Sequence, residues 1–371
     1  MKEIIDRIGI KKIITIGVFF IGIIIVTIIG ALIYNKFFYK KTYNEIESIM
    51  INAATNYYEE NKSKLPSNSG DSININADTL INKEYMKSFN DYLKDKEASC
   101  TGSINVTKVN KQYRYTPLLE CDKDYKTETL VEVIKKKNKL VTSGDGLYEL
   151  NNELVFRGEE PKNNIEFVGY SWKIVKITDD RLLLILNEPI NEDEPRAWDD
   201  RYNNQKDDDC GINDYPVSRI YEFLKSLYNG KQLFNNEDKL LITNYDLYIG
   251  KRKDEDRDKS GSLEKSRILE NQYIGLLPAY DFMNASLDTN CNRTDSFSCK
   301  NYNYLTNYLK NWWLLTGDAS NTYKIYKNSN HNNIFTVSAN TEAYVRPVIT
   351  LVSDAIYISG NGTTNKPYKF K

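Results

Sequence analysis

Four side chains in the C-terminal part of the sequence are suited to holding a ligand. The guanidinium of Arg346 can clamp a carboxylate or a phosphate through two parallel hydrogen bonds. Trp172, Trp312 and Trp313 offer flat faces on which a sugar or another ring can stack. Adjacent strand residues point to opposite sides, so only one of Trp312 and Trp313 can line a given groove. These four residues are the predicted binding site. The alternative is that the tryptophans pack in a core while Arg346 pairs with an acid such as Asp281.

A strongly charged segment, residues 250–266, has oxygen-bearing side chains at the spacing of a calcium loop. Positions 1, 3, 5 and 9 of such a loop are Asp256, Asp258, Ser260 and Glu264. Gly261 is at position 6, where the loop turns, but position 12 is Arg267 instead of a bidentate carboxylate. The segment therefore predicts either a calcium site on these four residues or a solvated charged loop. No other cofactor is predicted.

The five cysteines are spaced as two pairs and one remainder. Cys100 and Cys121 bracket two strand-like runs, and we predict a disulfide that closes a loop of about 20 residues and adds about 3 kcal/mol. Cys291 and Cys299 flank a short polar loop and predict a second, local disulfide. Cys210, in an acidic run, is then left over. The alternative for Cys100 and Cys121 is two unrelated free thiols, and metal binding at Cys291 and Cys299 would need more ligands.

No residue pattern of a known catalytic mechanism stands out in the sequence. A Ser-His-Asp or Cys-His arrangement would have to use His331, the single histidine, which lies in a polar Asn-rich stretch. Glycine-rich nucleotide loops are missing, and 51 acidic residues leave no carboxylate pair that can be singled out. The formal net charge of -1 argues against nucleic acid as a partner. We therefore predict a protein that is not an enzyme.

An uncharged N-terminal segment determines on which side of a membrane the predicted site would lie. Residues 13–34 are 22 positions without a charge, long enough as a helix to cross a bilayer core of about 30 Å. We predict a single-pass transmembrane helix with residues 1–12 as a cytoplasmic head. The bulk of the chain would then lie outside the cytoplasm, where paired cysteines are oxidised. A cleaved secretory signal and a buried core helix are the alternatives.

Two further regions follow the predicted span. Residues 35–140 begin with an amphipathic helix over Lys40–Lys62, which contains no Gly or Pro. Strand-like runs then predict a small antiparallel sheet: Ser103–Val109, Gln112–Tyr115 and Thr129–Ile134. Residues 147–371 predict a strand-rich mixed α/β head. Its main elements are strands over Ile165–Ile177 and Arg181–Leu186, with a turn at Thr178-Asp179-Asp180 between them, further strands over Tyr344–Val352 and Ala355–Ser359, and a helix over Val217–Tyr228. The predicted fold class is thus α+β, with the membrane helix continuing into the small sheet before the head.

Both regions resemble known families. A membrane helix that runs into an exposed helix and a small disulfide-bearing sheet makes residues 1–140 similar to a type IV pilin or pseudopilin, with Thr79–Met86 resembling the loop-to-sheet region. A prepilin has Gly and then Phe-Thr-Leu-Ile-Glu at the start of the span. Here Gly9 is followed by Ile10-Lys11-Lys12-Ile13-Ile14, so the resemblance extends to shape and not to the cleavage motif.

The head resembles an uncharacterised domain of bacterial surface proteins. The resemblance rests on Gly169-Tyr170-Ser171-Trp172-Lys173-Ile174-Val175, Ile274-Gly275-Leu276-Leu277, Asn311-Trp312-Trp313-Leu314, Tyr344-Val345-Arg346-Pro347-Val348-Ile349 and Gly360-Asn361-Gly362-Thr363. Such domains look similar to the C-type-lectin-like fold. The two resemblances together imply a membrane-anchored surface protein whose head binds or adheres to a protein or a glycan on a pilin-like stalk. The alternative is a structural component of a pseudopilin-like envelope assembly, with self-association through the N-terminal helix.

Overall fold

The computed structural model describes residues 18–30, 40–93, 98–190, 194–230, 232–253, 255–288, 291, 303–306, 310–328 and 334–371. The chain divides into two compact units. The first is formed by Met1–Leu65, Asn74–Asn105 and Pro117–Lys126, and the second by Pro66–Ile73, Val106–Thr116 and Thr127–Lys371.

The predicted membrane helix is corrected by the structure. Residues 18–30, the part of this segment that the structure describes, are helical and are named α1. The rest of the predicted span 13–34, and the head 1–12, lie outside the described residues. Across the ranges given above, no helix combines the length and the apolar character needed to cross a membrane. The fold class that begins with a transmembrane helix, the single-pass topology and the localisation built on it therefore do not stand.

The exposed amphipathic helix predicted after residue 40 is confirmed as α2, Tyr43–Glu60. A capping box starts it: the Thr42 hydroxyl accepts from the backbone N–H of Glu45, whose carboxylate accepts from the N–H of Thr42 at 2.8 Å. Ile46 and Met50 belong to its buried stripe. Short helical segments follow: a 3-10 turn at Lys62–Lys64, α3 at Ala77–Asn82 and α4 at Phe89–Tyr92.

A four-stranded sheet with the order β1-β2-β3-β4 contains the first disulfide. Its strands are β1 (Ser72–Asn76), β2 (Cys100–Val109), β3 (Gln112–Cys121) and β4 (Tyr125–Lys126). The predicted bond between Cys100 and Cys121 is confirmed, and it joins the start of β2 to the end of β3. The third predicted strand, Thr129–Ile134, is wrong. That segment begins helix α5, Leu130–Lys137, because Thr129 and Glu132 form a second capping box that outweighs the β propensity of its valines.

The largest sheet of the second unit has the order β11-β18-β9-β8-β6-β5, with β7 also pairing with β8. Its strands are β5 (Gly146–Leu150), β6 (Glu153–Arg157), β7 (Asn164–Phe167), β8 (Tyr170–Thr178), β9 (Arg181–Leu186), β11 (Ile242–Thr243) and β18 (Val348–Leu351). The predicted single strand Ile165–Ile177 is in fact two strands, because Val168 and Gly169 take positive φ values of 51° and 78° and turn the chain. The turn predicted between β8 and β9 is confirmed at Asp179 and Asp180, both with positive φ.

A bulge in β8 determines which of its side chains reach the two faces of this sheet. Ile174 pairs with Leu184, but Lys176 pairs with Leu183, so Val175 is an extra residue opposite β9. Lys173 and Lys176, three positions apart, therefore share one face of the sheet. The apolar residues Trp172, Ile174 and Ile177 share the other.

The remaining elements are short and surround the main sheet of the second unit. They are β10 (Arg196–Ala197), a 3-10 turn at Tyr215–Val217, α6 (Arg219–Asn229), a 3-10 turn at Asp238–Leu241, β12 (Tyr245–Tyr248), α7 (Ser262–Lys265), β13 (Ile268–Gln272), α8 (Ala279–Asn284), β14 (Trp313–Gly317), β15 (Lys324–Asn328), β16 (Ile334–Ser338), β17 (Glu342–Ala343), β19 (Tyr357–Ser359) and β20 (Lys369–Phe370). Helix α6 starts two residues later than predicted, because Ser218 caps it by accepting from Tyr221 N–H. The fold is strand-rich mixed α/β with several small sheets.

Candidate functional site

The four predicted binding residues lie in the core of the second unit. Trp172, Trp312 and Trp313 are fully buried, and Arg346 is 1% exposed. The Arg346 guanidinium lies 4.6 Å from the centre of the Trp312 ring. It donates to the carbonyl oxygens of Leu186 at 2.9 Å and Leu305 at 3.0 Å. The faces of the three tryptophans are therefore not accessible to a ligand. A binding role for these four residues stays a prediction.

The four oxygen ligands predicted for calcium make internal contacts instead. The carboxylate of Asp258 accepts from both the N–H and the hydroxyl of Ser260 and of Ser262, which lowers its pKa to about 2 although burial opposes this. Asp256 accepts from the N–H of Lys253 at 2.7 Å. Within the described ranges, no three acidic, Cys or His side chains are grouped to hold a metal. Calcium binding stays a prediction.

A buried arginine lies at the centre of this loop. Arg252 is fully buried and donates to Glu264 Oε1 at 3.0 Å and to the carbonyl oxygens of Asp256 at 3.2 Å and Asp258 at 2.8 Å. Burial raises the pKa of Glu264, and Arg252 acts against that rise. A guanidinium is thus the cation that organises the segment.

The structure describes two of the remaining reactive side chains named in the sequence analysis, Cys291 and Cys210. Cys291 is disulfide-bonded, while its predicted partner Cys299 lies outside the described residues, as does His331. Cys210 is free and buried, and burial raises the pKa of its thiol.

The most prominent concave site of the described chain is a pocket of about 450 Å³ at one end of the main sheet. Strands β8, β9 and β18 supply Lys176, Leu183 and Thr350, which the bulge and the strand register place on the same face. Strand β12 contributes Tyr245 and Tyr248, and helix α8 contributes Tyr280 and Asp281. Exposed polar residues form the rim: Asp179, Arg181, Asp246 and Asn271.

A cluster of ionisable groups lies at the bottom of the pocket. The Nζ of Lys176 donates to Asp281 Oδ1 at 3.1 Å, to both oxygens of Glu153 at 3.2 Å and to the Tyr280 hydroxyl at 2.9 Å. Burial by itself would lower the pKa of Lys176, but Asp281, Tyr280 and Glu153 outweigh it and hold the pKa well above its usual range. Burial also raises the pKa of Asp281.

Three tyrosines give the pocket its aromatic character. The Tyr245 hydroxyl donates to the Val348 carbonyl at 3.3 Å, which fixes that ring against β18. The Lys265 ammonium lies 5.4 Å from the Tyr248 ring centre, 5.6 Å from the Tyr280 ring centre and 4.0 Å from Glu153. The rings therefore already hold one cation beside the acidic bottom of the pocket.

One pocket hydroxyl is left without a partner. Thr350 is 5% exposed, and its Oγ1 is buried with no hydrogen-bond partner among the described residues. A buried hydroxyl without a partner costs about 1–3 kcal/mol. It is therefore a feature expected where a ligand or an ordered water completes the structure.

Sequence reasoning missed this pocket because its residues come from distant segments. Lys176 contacts Glu153 across 23 residues and Asp281 across 105. The available signal was local: apolar residues at 172, 174 and 177 break strict alternation, and that break marks the bulge that turns Lys176 towards the pocket.

Comparison of the chain with protein-family models, with curated proteins and with solved structures gave no match in any of the three. The resemblances to pilins and to C-type-lectin-like domains therefore stay predictions. The function proposed below is therefore based on the geometry of the pocket.

Proposed function

We propose that the second unit is a carbohydrate-binding module and that the pocket above the Lys176 cluster receives one or two sugar rings of a glycan. The observation that supports the proposal most directly is the combination, in one concave site, of the half-buried rings of Tyr245 and Tyr248 with carboxylates and amides. Sugars present apolar C–H faces, which stack on aromatic rings, and hydroxyls, which need closely spaced polar partners.

The size of the pocket agrees with this ligand class. A volume of about 450 Å³ lies within the ~300–1,000 Å³ typical of small-molecule sites. That range suits a small saccharide better than a folded protein surface, which needs a wider and flatter contact. The glycan alternative of the predicted binding head is therefore the one supported here.

The polar groups of the rim have the arrangement that hydroxyl recognition requires. Asn244 Nδ2 donates to Asn271 Oδ1 at 3.0 Å, and Asp246 Oδ1 accepts from the N–H of Asn271 at 3.2 Å. These bonds hold planar amide and carboxylate groups in fixed positions between β12 and β13. Fixed partners reduce the entropy lost when a ligand is bound.

A glycan array probed with the full-length chain tests the proposal. Glycans retained on the array are then titrated in solution by protein-observed NMR, with Tyr248→Ala and Asp246→Asn as variants. Each variant removes one expected contact, so we expect about tenfold weaker binding, equivalent to ~1.4 kcal/mol.

The matched control is Tyr170→Ala, which removes an exposed tyrosine that does not line the pocket. It should bind as the wild type does. Absence of binding across neutral, acidic and amino sugars would refute the proposal. Binding that neither pocket variant weakens would refute it as well.

A further inference from the structure

Lys176, Asp281 and Glu153 bring an amine and two carboxyl groups together in a largely buried site at the bottom of the pocket. The side chains of Lys176, Glu153 and Asp281 are 7%, 12% and 2% exposed. The Lys176 Nζ is 3.1 Å from Asp281 Oδ1 and 3.2 Å from Glu153 Oε1. Because Oδ1 of Asp281 is bonded to Cγ, the first contact also brings Nζ close to the carbon that it would attack.

We propose that Lys176 and Asp281 condense to an intramolecular amide, with Glu153 as the proton carrier. The Nζ bonds to Cγ of Asp281, and one carboxyl oxygen of Asp281 leaves as water. Two of the three ammonium protons leave with that oxygen, and the third stays on the amide nitrogen. Glu153 takes a proton from the attacking nitrogen and passes it to the departing oxygen, so it ends in its starting state. No oxidant, reductant or further reactant is needed.

The surroundings favour the neutral product over the starting ion pair. An amide has no net charge to solvate, whereas burial of an ammonium and a carboxylate is costly even when they are paired. The acids around Lys176 hold its pKa high, so the reaction begins with transfer of one ammonium proton to a neighbouring carboxylate. Burial, which raises the pKa of Asp281, favours that transfer. The Tyr280 hydroxyl accepts from Nζ at 2.9 Å and helps to hold the amine beside the carboxyl group.

The bond would connect two elements that are far apart in the chain. Lys176 is on strand β8 and Asp281 on helix α8, 105 residues later. The reaction removes one positive and one negative charge together, so the net charge of the pocket is unchanged. The proposal therefore does not depend on the ligand-binding role, and either can fail without the other.

The intact mass of the purified full-length chain tests the proposal directly. After complete reduction of disulfides and denaturation, we expect a mass lower than that of the sequence by one water molecule. Proteolysis should then yield a branched peptide in which Lys176 and Asp281 are joined, with no cleavage after Lys176 by trypsin.

Three variants identify the roles of the groups. Lys176→Arg keeps a cation in the cluster but lacks the amine nucleophile, so it should have the full sequence mass. Glu153→Gln should accumulate uncrosslinked chain, because the proton carrier is lost. Lys173→Arg, the matched control on the same strand face, should lose water as the wild type does.

The intact mass of the wild-type chain tests for the Lys176–Asp281 amide even if a variant fails to fold. A full sequence mass, with Lys176 and Asp281 recovered in separate linear peptides, would overturn the proposal. Loss of water that maps to any other pair of residues would overturn it equally.

Discussion

Replacement of Arg252 by Met should destabilise the second unit strongly, because it removes the cation that is paired with Glu264. Both side chains are fully buried. The change leaves a buried carboxylate unpaired and removes the donor from two carbonyl oxygens, those of Asp256 and Asp258. Loss of one partner of a buried ion pair costs about 3–5 kcal/mol. We expect a loss of that size in the free energy of unfolding at pH 8.

The pH dependence of this loss follows from Glu264. Burial already raises its pKa in the folded protein, and without Arg252 the rise is larger. A folded-state pKa above the unfolded value means that the folded state binds the proton more tightly, so stability decreases as the pH rises through that interval. The Arg252→Met variant should therefore recover much of its stability at pH 5, where Glu264 can be protonated.

Urea unfolding followed by tryptophan fluorescence measures this effect in the relevant unit. All four tryptophans of the sequence lie in that unit and are buried: Trp172, Trp198, Trp312 and Trp313. The double variant Arg252→Met/Glu264→Leu is the control, because it removes both charges and should recover most of the stability. A loss below about 1 kcal/mol, a loss equal at pH 5 and pH 8, or a double variant as unstable as the single one would each contradict the reasoning.

Three further predictions concern other parts of the chain. Cys100→Ser/Cys121→Ser should lose about 3 kcal/mol of unfolding free energy, since the disulfide closes a 21-residue separation, as a shift of the urea midpoint of the first unit will show. Thr129→Ala should lose about 1 kcal/mol of unfolding free energy, as a shift of the urea midpoint of the second unit, because α5 loses its capping hydroxyl; Thr129→Ser should lose much less. The Asp258 pKa of about 2 is below its usual 3.8, so its contribution to stability should be complete above pH 3.8 and lost as the pH falls towards 2; Asp258→Asn should lack that component of acid unfolding.

The sequence predicted those elements whose signals are local. Helix α2 and the β8–β9 turn follow from apolar periodicity and from two adjacent aspartates, and both are confirmed. The pairing of Cys100 with Cys121 also follows from spacing along one hairpin. In each case, residues close in the chain determine the structure, so a single sequence is sufficient.

Predictions failed where a tertiary or backbone effect overrode the local pattern. Valine rarely takes positive φ, so nothing in the apolar run around Val168 announces the turn that divides the predicted strand. The uncharged run at residues 13–34 predicts a membrane helix on its composition, whereas no helix of the described residues has the length and apolar character of a membrane span. The arginine and tryptophan side chains chosen as ligand contacts are large enough to fill a core, and the structure places them there.

The candidate site itself could not be derived from one sequence. Its acids and tyrosines belong to segments separated by well over a hundred residues, from Glu153 to Asp281, and 51 acidic residues offer too many combinations. The one local indication of the site was the position of Lys176 within an apolar run. Strict alternation along the strand would have placed its side chain on the face of Trp172 and Ile174, away from the pocket.

The extra residue in β8 determines which change in chain length would disturb the site. Because Val175 is the residue without a counterpart on β9, its deletion would leave Ile174 and Lys176 adjacent and still opposite Leu184 and Leu183. Lys176 would then stay on its present side of the sheet. Insertion of one residue between Leu183 and Leu184 would instead give Val175 a partner, and strict alternation would turn Lys176 to the side now occupied by Trp172 and Ile174. A one-codon insertion in β9 would thus relocate the ammonium into hydrocarbon without altering any of the groups that bind it.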